Sequence, residues 1–334
     1  MPGINPPVDL WPTGRVRKGW YGSELGTPDF VTRVEARQLD AIKALIREIN
    51  DSGKPVAEIR KVDLSHRHVD PLFDQIGREV RHGKGLLILT GLSDLAEPDL
   101  RILHWGIGTH LGTALSQSHR GELVVHVTSK QGSDRGSGGT AELVMHTDPG
   151  EIIILLAVRK AKAGGVSRFC SSLAAWDEMQ SRRPDLAQIL QEGFRCWRYG
   201  EQAPGDDEYT PYNVPVFSEC EGLRSVVYAR QTIERAHADL KIGLSLNQIV
   251  ALNMFDSIVA DPRLRFEIML EPGDLAIMNN YEVLHSRSSY DDHYEWEKRR
   301  LLLRLWIESP APRPLQWQAL KFQNKSGRQG IDPW

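Results

Sequence analysis

Two hydrophobic periods alternate along this chain. From Ala36 to Asn50 the apolar residues Leu39, Ile42, Leu45, Ile46 and Ile49 recur at the spacing of one helical face. Asp70-Pro71 predicts a second helix to about His82, with Asp70 as its cap and Pro71 at the first helical position. Further helices are expected over Pro98 to Leu111, around Ala174 to Met179 behind Ser171 or Ser172, over Pro184 to Gln191, and from Asn247 to Asp261. Between them lie short apolar runs bounded by glycines or turns, and each reads as a strand: Leu86 to Thr90, Leu123 to Val127, Leu143 to Asp148, Glu151 to Val158, Val166 to Phe169, Phe266 to Leu270, Leu275 to Asn280 and Arg299 to Ile307. From Phe194 to Arg230 the pattern turns to short strands separated by Pro, Gly and acidic loops.

Many short strands interrupted by helices point to a mainly β protein with helices, its core a double-stranded β-helix (jelly roll) carrying helical insertions. The Pro- and Gly-rich residues 1–35 read as an irregular arm, 36–312 as a single domain and 313–334 as a C-terminal tail. The Gly/Ser-rich stretch Gln131 to Thr140 reads as a flexible loop and a candidate lid.

Composition narrows the partners. The 334 residues balance 41 basic against 44 acidic side chains, well mixed, so no basic block is available to follow a phosphate backbone or an anionic membrane. A small-molecule partner is expected rather than nucleic acid or membrane, and a homo-oligomer stays open. Three cysteines without C-x-x-C spacing, no charged leader and no apolar run of membrane length suit a reducing, cytoplasmic setting.

The candidate chemistry starts at Leu143 to Asp148. In an extended strand, side chains two apart share a face, so His146 and Asp148 point the same way about 6 to 7 Å apart. An imidazole and a carboxylate need a second histidine to become the facial triad of non-haem Fe(II) oxygenases. His285, five residues past the strand Leu275 to Asn280, is the candidate; the pair by itself equally suits a surface turn or a helix cap. A rival pair, His68 and Asp70, is set aside because a cap role already occupies Asp70. In the last strand, Leu301, Leu303, Leu305 and Ile307 share one face, while Arg300, Leu302, Arg304 and Trp306 share the other. A guanidinium inside a barrel requires an anion, either a structural carboxylate or a bound dicarboxylate gripped by the Arg fork.

Taken together, H-T-D at 146–148, G-G-x-S at 164–167, E-P-G-D at 271–274, N-N-x-x-x-x-H at 279–285 and R-R-x-x-x-R at 299–304 resemble the TauD/TfdA family of Fe(II)- and 2-oxoglutarate-dependent dioxygenases, over roughly Gly83 to Ile307. The resemblance implies His146, Asp148 and His285 as iron ligands, Arg300 and Ser167 on the distal carboxylate of 2-oxoglutarate, and Asn280 supporting the site. Arg304 is similar to the arginine that in relatives faces the substrate's acidic group or the near end of the cosubstrate.

The implied reaction uses Fe(II), 2-oxoglutarate and O2 to oxidise an unactivated C–H bond of a small acidic or amino-acid-like metabolite, by hydroxylation or by desaturation or ring closure. With Asp148 present, halogenation is disfavoured. Gln117, His119, Tyr212, Phe217 and Tyr228 are expected along the substrate pocket by their polar or aromatic character. A second reading, a non-oxidative cupin-like metal protein, explains the histidines and Asp148 but leaves Arg300 and Ser167 without a role; a purely structural interaction protein leaves the whole constellation to chance.

Overall fold

The computed structural model describes residues 11, 17–129, 138–322, 324 and 327–334. Seven strands form the larger sheet. Its path runs Val31–Arg33, Leu86–Thr90, Leu275–Asn279, Ile152–Arg159, Leu301–Glu308, Thr113–Leu115, with Val124–Val127 also paired to Leu301–Glu308. Only the first pair is parallel. The smaller sheet has four antiparallel strands in the order Arg265–Ile268, Ser167–Ser171, Val283–Arg287, Leu143–His146.

Alternation explains the layering. One face of the larger sheet, with Leu87, Leu89, Ile154, Leu156, Leu303 and Leu305, packs against Ile42, Ile46, Leu72, Ile76, Leu103 and Ile107 of the helices Ala36–Ser52, Asp70–His82 and Glu97–Leu111. The opposite face sends Leu86, Ile88, Ile153, Met278, Leu302 and Trp306 into a second cluster, where they meet Phe169 and Phe266 of the smaller sheet. Each fully buried Leu or Ile side chain contributes about 1.5–3 kcal/mol, so strands buried on both faces read as continuous apolar runs. Behind the smaller sheet, Cys170 and Leu284 pack with the helices Ser172–Arg182, Pro184–Glu192 and Leu246–Val259.

The expected fold class of strands with helices stands, with helical residues more numerous than strand residues among those described. Several expectations are corrected. The segment 17–35 is not an irregular arm: it holds the short helix Thr27–Phe30 and an edge strand in register with Ile88 to Thr90. Asp70 is the first helical residue, and its carboxylate accepts from the His66 backbone N–H and the Ser65 hydroxyl instead of capping its own helix. The helix Arg230–Asp239 was hidden by its polar composition. Most of the proposed lid, 131–137, lies outside the described residues. No helix among the described residues is long and apolar enough to cross a membrane.

Candidate metal centre and its surroundings

His146 ends its strand, and antiparallel pairing places it directly opposite His285. The ring centroids are 4.3 Å apart. Asp148 lies two residues past the strand end, so strand geometry alone does not aim it. Asn280 does: its Oδ1 accepts from the Asp148 N–H at 2.9 Å, and its Nδ2 donates to the carbonyls of Asp148 and Gly150, both at 2.6 Å. Thr147 between the two candidate ligands is tied to Tyr228 by a backbone N–H to carbonyl bond of 2.8 Å and by its hydroxyl accepting the Tyr228 N–H at 2.9 Å. The result is a cluster whose candidate ligand atoms from His146, Asp148 and His285 all lie within 4.8 Å of one another.

The donor set fits a metal. His146 Nδ1 faces the Val144 carbonyl at 2.8 Å; a carbonyl only accepts, so the proton sits on Nδ1 and Nε2 keeps its lone pair. His285 Nε2 faces Asp148 Oδ2 at 3.8 Å. Burial, with His146 beside it, pushes the His285 imidazole down to about 3 despite the opposing pull of Asp148, so it stays neutral at ordinary pH. Burial would raise the Asp148 carboxyl, but Arg304 first, then His285 and His146, hold it below the usual carboxylate range. Two imidazoles and one carboxylate form the set that non-haem Fe(II) oxygenases use.

Arg300 sits just before the last strand and is buried, its backbone N–H donating to Asp292 at 2.8 Å. Among the described residues no carboxylate forms an ion pair with its guanidinium. Burial and then Arg287 pull the Arg300 guanidinium down to about 10. Arg287 and Arg300 both lie over the Tyr290 ring, at 4.4 and 5.3 Å. Arg287 donates to the carbonyls of Gly139, Ala141 and Ser288, so it fastens the segment entering the metal stretch. Gly164 and Gly165 have φ of 75° and 81°, and a Cβ on Gly165 would meet Arg300 Nε at 3.3 Å, which accounts for the double glycine. Ser167, buried two residues on, pairs in register with Arg287.

Arg304 is already paired within the chain. Its Nη1 lies 3.0 Å from both Asp148 oxygens, and Trp306 Nε1 donates to Asp148 Oδ2 at 3.2 Å. The second anion that the interior cation required is thus Asp148 itself.

His146 and Asp148 open onto a cleft of about 720 Å³ with Leu143, Val144, Tyr199, Arg230, Arg304, Trp306 and Ile331 among its walls. Of the expected pocket residues, Arg304 and Gln117 reach it. His119 is instead bound to Glu201 and stacked on Trp334. Tyr212 packs on Trp317 with its hydroxyl on the Lys321 carbonyl. Phe217 stacks on Trp176 in the core, and Tyr228 turns its ring to Phe255 and its hydroxyl to Asp256. Character alone misled there, because aromatic residues fill cores at least as often as pockets. Trp306 was legible as the next inward position after Arg304; Tyr199, a non-glycine residue at φ 60°, and Ile331 gave no sequence signal.

This fold and this triad define a non-haem Fe(II)- and 2-oxoglutarate-dependent oxygenase. The family described as "Taurine catabolism dioxygenase TauD, TfdA family" matches residues 48–306, and the chain belongs to that family. It is accordingly a dioxygenase using Fe(II), 2-oxoglutarate and O2. Among curated relatives, FR-33289 synthase of Streptomyces rubellomurinus is 26% identical over 285 residues, 82% of this chain and 83% of that protein. Uridine-5'-phosphate dioxygenase of an Amycolatopsis species is 28% identical over 251 residues, 70% of this chain and 88% of that protein. Among solved structures, asparagine oxygenase with Fe(II), 2S,3S-3-hydroxyasparagine and succinate superposes with a TM-score of 0.65 at 13% identity, covering 91% of this chain and all of that one. The oxygenase OrfP with Fe and alpha-ketoglutaric acid gives 0.61 at 14% identity, over 90% and 99%.

Proposed function

We propose that His146, Asp148 and His285 hold the Fe(II), that Arg300 and Ser167 grip the distal carboxylate of 2-oxoglutarate, and that the cleft beyond His146 takes a small amino-acid-like or acidic metabolite. The observation that carries this reading is Arg300: a buried cation without a carboxylate ion-pair partner among the described residues, four residues before an arginine that touches Asp148. Four extended residues span about 13 Å, which leaves room for a dicarboxylate between the metal ligands and Arg300. The non-oxidative cupin-like reading leaves Arg300 without an anion.

Bound at this centre, the metal and 2-oxoglutarate supply the chemistry: decarboxylation to succinate and CO2 uses one atom of O2, and the other serves to oxidise a substrate C–H bond. The chain's own residues orient and exclude. Asn280 fixes the Asp148 backbone, Val144 fixes the His146 tautomer, and Leu143, Val144, Trp306 and Ile331 give the cleft an apolar wall. The substrate is a metabolite of amino-acid to nucleotide size. Relatives named for uridine-5'-phosphate, and neighbours solved with hydroxyasparagine or L-Arg, span that range.

The reading includes a single catalytic unit over 36–312 with flanking segments at 1–35 and 313–334, and a cytoplasmic enzyme with a small-molecule substrate and neither nucleic acid nor membrane as partner. The test is O2 uptake with Fe(II) and 2-oxoglutarate across a panel of L-asparagine, L-arginine, uridine 5'-phosphate and other metabolite acids, each beside its amide or uncharged analogue. Stimulation by an acid and not by its neutral counterpart is expected; equal stimulation by both retires the acidic-substrate part.

A further inference from the structure

We infer that Arg304 is a positioning residue for the metal's carboxylate ligand, and that with Trp306 it limits Asp148 to a single metal bond. The inference rests on the reading above, in that the metal concerned is the one held by His146, Asp148 and His285.

An ionised carboxylate offers roughly four lone-pair sites. Arg304 Nη1 lies 3.0 Å from Oδ1 and 3.0 Å from Oδ2, and Trp306 Nε1 lies 3.2 Å from Oδ2. Three sites are therefore engaged and one is left. A carboxylate so held cannot chelate with both oxygens. Monodentate binding keeps one more position open at the metal than chelation does, and a keto acid binding through two atoms together with O2 requires that position.

Arg304 is in turn fixed from behind. Gln117, fully buried, accepts from Arg304 Nε through Oε1 at 2.8 Å, while its Nε2 donates to the carbonyls of Leu123 and Arg304, each at 2.8 Å. The opposite orientation of that amide would set two donors against each other and two acceptors against each other, so this one is determined. The guanidinium carbon lies 4.7 Å from the Trp306 ring centroid, so the two donors to Asp148 come from successive inward positions of one strand and are stacked on each other. Turning Arg304 to a substrate anion would strip Asp148 of its charged partner and break the Gln117 contact as well.

The experiment uses Co(II) as the probe, titrated into the metal-free full chain of wild type, Arg304→Leu, Arg304→Lys and Trp306→Phe. The visible Co(II) spectrum is read first, then 2-oxoglutarate affinity of the Co(II) form. Arg304→Leu is expected to change the spectrum before any 2-oxoglutarate is added and to weaken 2-oxoglutarate binding about tenfold or more, as the freed oxygen closes a position. Arg304→Lys should restore most of both, because an ammonium still donates to the two oxygens; Trp306→Phe should give a smaller change in the same direction. If Arg304→Leu does not fold, the Lys and Trp306 variants carry the comparison. A folded Arg304→Leu protein with an unchanged Co(II) spectrum overturns the inference, even where its 2-oxoglutarate or substrate binding falls, since that pattern belongs to a direct anion contact. A wild type that binds no Co(II) overturns the metal reading and this inference together.

Discussion

His146 and His285 face each other across two antiparallel strands, their ring centroids 4.3 Å apart. Residues distant in sequence are thus brought to one spot by register rather than by a loop, and each ring is aimed before any metal arrives. A divalent metal that binds only the folded chain, at a hundredfold over its dissociation constant, adds about 2.7 kcal/mol of stability. Wild type should melt higher with Co(II) or Fe(II) than with chelator, and His285→Ala should show no difference. A metal-dependent shift that survives in His285→Ala would place the binding elsewhere.

Arg300→Ala should cost 2-oxoglutarate about 2 to 5 kcal/mol of binding, the usual loss when one partner of a buried charge-assisted pair is removed. The variant is also relieved of a buried cation next to Arg287, so its folding should hold or improve. Unchanged 2-oxoglutarate affinity, measured by titration of the metal-loaded protein, would leave Arg300 with a purely structural role.

Phe217 separates core from pocket. It is 1% exposed, stacked on Trp176 at 4.6 Å and edge-on to Phe255. Phe217→Ala should destabilise the chain by about 3–5 kcal/mol in denaturant unfolding while leaving 2-oxoglutarate affinity of the surviving folded fraction intact. A loss of affinity without loss of stability would return Phe217 to the pocket.

His104 sets an acid limit. Its ring is 1% exposed between the Glu97–Leu111 helix and the larger sheet, with Nε2 3.4 Å from the Ile154 carbonyl. Burial pushes it down to about 4. A histidine whose folded pKa lies below its unfolded value contributes stability above about pH 6.5 that is lost as pH falls toward 4, because the unfolded chain takes up the proton first. About 3 kcal/mol disappears across that window. His104→Gln should flatten this part of the stability-against-pH curve; an unaltered slope would assign the acid sensitivity to other groups.

Legibility followed periodicity and charge. The strand Leu301–Glu308 and its two faces were readable because apolar positions alternate there: Leu301, Leu303, Leu305 and Ile307 join one core cluster, Leu302 and Trp306 the other. His285 was readable because it follows a strand and a turn. What Arg304 touches was not readable: a strand face says that two guanidiniums point inward, not that Asp148, 156 positions earlier, supplies the anion. The helix Arg230–Asp239 escaped because seven of its ten residues are polar or charged, leaving no clear stripe. Tyr199 and Ile331 reach the cleft only through loops fixed by remote contacts, such as Gly330 N–H to the Pro149 carbonyl at 2.8 Å. No local pattern encodes such a contact.

The central claim, that this centre turns over 2-oxoglutarate at His146, Asp148 and His285, is tested most directly by succinate formation. Wild type and Asp148→Ala, both checked for folding by thermal melt, are incubated with Fe(II), 2-oxoglutarate and O2, and succinate is quantified. Oxygen-dependent succinate is expected from wild type and at least a hundredfold less from Asp148→Ala, on the order of the loss expected when a metal ligand is removed. Succinate at the wild-type rate from a folded Asp148→Ala protein would contradict the claim.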